Sequence, residues 1–148
     1  MDIYNRLREK LDQKAKGFPA TEKGSEMNFL KQLFSPEDAK IFIAMSDGYE
    51  APDEFASRTG TDHAVIAEKM ESMSKRGLLY RLRKNGEVRY RTIPVVHGIW
   101  EFNLKNLDAA LVKNFNRAYV GGFGKTLHST EIPLFRTVPI QTEVVSGS

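Results

Sequence analysis

Few residues in this chain have the types and spacing that bond-making chemistry requires. The segment Gly121–Thr126 reads GGFGKT and invites comparison with a phosphate-binding loop. That loop, G-x-x-x-x-G-K-[ST], cradles phosphates on backbone amides after a strand. Here the first glycine would fall at position 119, which is Tyr119, and the segment follows a helical pattern. A flexible loop is the expectation, and nucleotide binding is set aside. His63, His97 and His128 have no paired spacing for a metal. His63, near a helix start, is expected in solvent. His97 sits in an apolar run and reads as a packed residue rather than a catalyst. Asp53 and Glu54 suit the positive end of a helix and need no catalytic role. No nucleophile is paired with a base, so an enzyme is not expected. Cysteine is absent. That removes disulfides, thiolate nucleophiles, Cys-ligated zinc and any iron–sulfur cluster held by this chain itself.

What remains is a set of cations suited to contact rather than catalysis. Arg81, Arg83, Lys84, Arg89 and Arg91 crowd one short stretch, and Ser72 and Lys75 stand just before it. They are the candidate partner or nucleic-acid contacts.

The elements that must position them lie between Pro52 and Thr92. Pro52 opens a short helix with Phe55 and Ala56 inward. Gly60 permits a left-handed turn, and Thr61 or Asp62 caps a longer helix. Val65, Ile66, Met70 and Met73 form the inner stripe of that helix, with Ala64, Glu68, Glu71, Ser72 and Lys75 outside. Gly77 ends it. Two alternating strands then flank Asn85-Gly86. A two-residue loop would set Leu82 opposite Arg89 and mix apolar with charged residues. A three-residue loop, Lys84-Asn85-Gly86, pairs Leu82 with Val88, Tyr80 with Tyr90 and Leu78 with Thr92. The second register is expected, because it leaves one apolar face and gathers Arg81, Arg83, Arg89 and Arg91 on the other. Helix, turn, helix and β-hairpin in this order form the winged-helix pattern.

Further elements flank this core. Ile3, Tyr4, Leu7 and Leu11 mark an amphipathic helix over Asp2–Lys14, ended by Lys16-Gly17-Phe18-Pro19. Ser25 can cap a second helix, whose Met27, Leu30, Leu33 and Phe34 share a face. Ser35-Pro36-Glu37-Asp38 starts a third strongly, with Ile41, Phe42 and Met45 buried and Asp47-Gly48 closing it. After the hairpin, IPVVHGIWEFNL reads as extended or as a short helix, with Trp100 in the core. Leu107–Tyr119 is a helix with Leu107, Leu111 and Phe115 inward, and the rest is an irregular arm. The expected class is α+β, mainly α: a winged helix-turn-helix with extra N-terminal helices, a C-terminal helix and an irregular C-terminal arm. Residues 1–34 form the extension, 35–93 the winged-helix core and 94–148 the C-terminal helix and arm, in one compact domain.

Charge divides along the same lines. The 148-residue chain carries a formal +3, yet Ser35–Ser74 holds nine acids against three bases, and Lys75–Thr92 seven bases against one acid. DNA readers place their reading helix among phosphates, where outward Glu68 and Glu71 would repel. No apolar run reaches membrane-spanning length and MDIYNRLREK is no signal peptide, so a cytoplasmic protein is expected.

Several stretches in order resemble a bacterial family of iron–sulfur, ferredoxin-type proteins with an N-terminal winged-helix region. They are GFPATEKGSEMNFLKQLFSPEDAKI at Gly17–Ile41, KRGLLYRLRKNGEVRY at Lys75–Tyr90, VVHGIWEFNL at Val95–Leu104 and RTVPI at Arg136–Ile140. In that family a Cys-rich 4Fe–4S module follows the RTVPI-like stretch. The resemblance implies the fold and an electron-transfer context. It carries over no cluster ligands, and 4Fe–4S clusters are expected only if the native protein continues into such a module. The expected function is a non-catalytic interaction or dimerisation module that docks a redox partner or a second copy through the Arg-rich wing or the C-terminal helix. The alternative is a DNA-binding regulator that uses helix 62–76 and the Arg-rich wing.

Overall fold

The computed structural model describes residues 2–14 and 17–129. The expected C-terminal arm beyond Ser129, with its RTVPI stretch, and Lys16 of the first helix stop lie outside the described residues. The described chain is mainly helical, with one antiparallel two-stranded sheet.

Local chemistry starts most of the helices. Helices α1 (Ile3–Asp12) and α2 (Ser25–Leu33) precede α3 (Pro36–Ala44). At α3 the Ser35 hydroxyl accepts from the Asp38 amide at 3.1 Å and the Asp38 carboxylate accepts from the Ser35 amide at 3.0 Å. This reciprocal box satisfies two amides that have no intrahelical partner. At α2 the expected Ser25 cap is replaced by left-handed Gly24. The Ser25 amide instead donates to the Thr21 hydroxyl at 3.0 Å, and that hydroxyl donates to buried Glu26 at 2.6 Å. Helix α4 (Pro52–Thr59) turns at Gly60 into α5 (His63–Lys75). Asp62, rather than Thr61, caps α5 by accepting from the Val65 amide at 3.0 Å.

The hairpin differs from the expected register. Strands β1 (Leu79–Lys84) and β2 (Glu87–Thr92) pair Leu82 with Arg89, Tyr80 with Arg91 and Leu79 with Thr92. The loop is Asn85-Gly86 alone, with φ of 53° and 82°. Positive φ at both positions makes the mirror-image turn whose twist matches that of the strands it joins. Arg81 and Arg83 therefore share a face with Tyr90 and Val88, and Arg89 and Arg91 lie on the other. The single cationic face is not formed. On the far side of β2, the Glu50 and Tyr90 backbones exchange hydrogen bonds of 2.8 and 2.9 Å, which ties the α3–α4 loop to the hairpin.

Beyond the hairpin, Val95–Ile99 forms a wide turn that leads into a short helical turn, α6 (Trp100–Phe102). Helix α7 (Ala109–Ala118) follows, capped by Asp108, which accepts from the Leu111 amide at 2.6 Å. A second wide turn, Tyr119–Phe123, leads to α8 (Gly124–His128). The GGFGKT segment is thus a turn and a helix start rather than an open loop.

One continuous core runs from Leu7 and Leu11 of α1 to Phe123. Its C-terminal half is aromatic: Phe29 packs on Phe115 at 5.5 Å, and Trp100 stacks on Phe115 at 3.7 Å with planes 10° apart. Phe29 was absent from the expected stripe of α2. It is fully buried because α7 lies against that side of the helix. Two expected inward residues point out instead: Val65 is 54% and Leu107 39% exposed.

Candidate interaction surface

Two ion-pair clusters hold the hairpin to the helical body, and a third ties α5 to α3 within that body. In the first, Glu71 of α5 accepts from the Tyr90 hydroxyl at 2.7 Å, pairs closely with Arg81 and has Lys75 at 3.4 Å. Those donors, Tyr90 first and then Arg81, hold the Glu71 carboxyl at about 2. Burial, reinforced by the Glu71 bond, pushes the Tyr90 phenol up to about 12. In the second, Arg89 forks onto Glu54 of α4 with bonds of 3.1 and 3.0 Å. The Ala51 amide and then Arg89 lower the Glu54 carboxyl. In the third, Arg76 at the end of α5 forks onto buried Asp38 with two 3.0 Å bonds. Burial alone would raise Asp38, but Arg76 and Ser35 outweigh it and the carboxyl is lowered. A third fork, Arg58 onto buried Glu50 at 2.8–3.0 Å, holds the loop that carries the bridge to Tyr90.

The sequence-derived contact residues therefore divide. Arg81 and Arg89 are engaged with the body. Arg83 and Lys84 at the hairpin tip are exposed and form no ion pair among the described residues. The Arg91 guanidinium lies 5.9 Å from the centre of the Tyr49 ring. Ser72 and Lys75 are exposed on α5, and the Lys75 side chain is 70% accessible. Glu68 stays exposed, while Glu71 is turned into the α5–hairpin seam.

Among the described residues, no group of three or more His, Asp or Glu side chains could hold a metal ion. His63 is exposed, 2.5 Å from an Asp53 oxygen. His97, expected to be packed, is exposed with left-handed backbone (φ 60°), and its carbonyl accepts from the Tyr80 hydroxyl at 3.1 Å. An aromatic ring beside a polar turn satisfies the segment without burying the imidazole. His128 lies 2.7 Å from the Tyr119 hydroxyl. Among the described residues, no helix is long and apolar enough to cross a membrane.

A second surface lies on α7, the C-terminal helix expected as the other contact surface. Residues Thr21–Asn28 and the outer face of α7 enclose a groove of about 1020 Å³. Val112, Val120 and Ala109 give it apolar ground, and Lys23, Lys113 and Arg117 stand around it. No family model, no curated protein and no solved structure matches the chain.

Proposed function

We propose that this chain is a non-catalytic interaction module on a winged-helix plan, in which α4 and α5 form the helix-turn-helix and the hairpin forms the wing. The observation that carries this reading is the use of Arg81 and Arg89 as internal ties to Glu71 and Glu54. A DNA-binding wing keeps such side chains for phosphates, because each phosphate neutralised releases counterions and adds affinity. Here the same charges hold wing to body, and exposed Glu68 stands where a reading helix would meet the duplex. The one-residue bridge of Glu50 to Tyr90 supports the winged-helix plan, since it adds a rudimentary third strand. The resemblance to ferredoxin-type proteins makes a redox protein the partner of choice and the cytoplasm the site. A reading frame continuing into a Cys-rich segment would support that context.

The order of helix, turn, helix and hairpin favours one competitor, a DNA-binding regulator that reads with Ala64, Glu68, Ser72 and Lys75. Fluorescence anisotropy with a random-sequence duplex at low salt separates the two. The interaction-module reading expects no measurable binding. Affinity that falls steeply with salt and is lost in Arg83→Ala/Arg91→Ala would overturn it.

A further inference from the structure

The geometry points to the groove between Thr21–Asn28 and α7 as the docking site for an acidic amphipathic helix of a partner protein. This rests on the interaction-module reading and adds where the module is gripped and by what.

Three features select the occupant. The first is shape. Ala109, Val112, Asn116 and Val120 recur at steps of three or four, and so form a stripe along α7 and into the turn that follows it. At about 1.5 Å per residue the stripe is roughly 16 Å long, the span of a partner helix of about three turns. The second is apolar exposure. Val120 is 80% exposed at one end of the stripe, and a large apolar side chain in that position is an anchor point for protein rather than for phosphate. The third is charge. Lys23, Lys113 and Arg117 are exposed and pair with no acid among the described residues, and Glu22 is the one acid lining the groove. Lys113 and Arg117 are four residues apart on one face, so they match two carboxylates spaced i, i+4 on a partner helix. A second copy is a poor occupant. A two-fold contact through this face would set Lys113 and Arg117 against the same cations of the other chain.

Selection from a library of displayed helical peptides tests the site. The intact chain is the target, with depletion on Lys113→Glu/Arg117→Glu. Both substituted residues are exposed, so thermal unfolding should remain near that of the parent. If it does not, Lys23→Glu on the opposite wall repeats the test. The expected result is enrichment of peptides with apolar residues at three- and four-residue steps flanked by acids. Their affinity should fall at least about tenfold in the variant and weaken as salt rises. Amide shifts on titration should centre on Val112, Lys113, Asn116 and Val120. The proposal is overturned by enrichment of basic or uncharged peptides, by equal binding to the variant, or by a sedimenting dimer that the same variant dissolves. Duplex DNA binding lost in the same variant also overturns it, and defeats the interaction-module reading as well. Acidic peptides whose shifts fall on the hairpin would defeat the groove alone.

Discussion

Tyr90 of β2 donates its hydroxyl to Glu71 of α5 at 2.7 Å, and the same carboxylate pairs with Arg81 across the hairpin. One side chain thus holds both strands to the helix. Tyr90 also exchanges backbone bonds with Glu50, so it is stitched on its other edge to the α3–α4 loop. The seam around Tyr90 is where the hairpin, α5 and that loop become one structure.

Removing the Tyr90 hydroxyl tests this seam. Tyr90→Phe keeps the buried ring and leaves Glu71 with its cations. The expected cost is about 1.5 kcal/mol, the low end of the range for a hydrogen bond to a charged group. Urea unfolding measures it, and hydrogen exchange should show faster opening of β2 than of α3.

The same carboxylate predicts a pH dependence. The Glu71 pKa falls from 4.5 to about 2 on folding. Its contribution is therefore complete above about 4.5, where it is ionised in both states, and is lost as pH falls toward 2. The Tyr90 phenol, raised from 10.0 to about 12, favours the fold below 10 and loses that contribution as pH rises toward 12. Chemical unfolding of the parent and of Glu71→Gln should converge between about pH 4.5 and 2. A constant gap across that window would show that Glu71 is not the group responsible.

Arg58→Ala should be among the more damaging polar substitutions. Its guanidinium is half exposed, yet it forks onto Glu50, which is 5% exposed, and donates to the Ala44 carbonyl at 2.8 Å. Its loss strands a buried carboxylate, for which about 3 kcal/mol is the expected scale. Arg58→Lys should recover only part of this, because an ammonium cannot reproduce the fork. Melting temperatures of the two variants give the comparison.

Gly77 and Gly60 share a left-handed backbone but differ in surroundings. At Gly77 (φ 74°) an added Cβ would lie 2.6 Å from the Phe102 Cβ, whereas at Gly60 (φ 70°) it would meet nothing. Gly60→Ala should cost about 1 kcal/mol through backbone conformation alone. Gly77→Ala should cost clearly more and displace α6, visible as altered Trp100 fluorescence.

The hairpin register yields a direct spectroscopic test. Tyr90 spends its backbone groups on Glu50, so Arg81 and Tyr90 form a non-hydrogen-bonded pair with closely opposed Cα positions. A strong nuclear Overhauser contact between their α-protons is expected. A contact between the α-protons of Tyr80 and Tyr90 would restore the three-residue loop.

The amino-acid order alone determined features whose causes are local. The Ser35-Pro36-Glu37-Asp38 start of α3, the Gly60 break and the stop at Gly77 each depend on a few neighbouring residues. Ile66, Met70 and Met73 were legible as core because helical periodicity records which side faces inward. The separation of acidic helices from a basic hairpin was legible as well. Tertiary structure decided what that separation does. Strand alternation favoured the register that kept arginines away from apolar residues, since nothing nearby in sequence could neutralise Arg81. Glu71, reached only when α5 folds beside the hairpin, supplies the missing charge and lets the two-residue turn prevail. Phe29 became core because α7 covers it, and the groove exists because segments distant in sequence meet along one helix. Linear periodicity reports the face a helix buries, but the partner that covers it is chosen by three-dimensional packing.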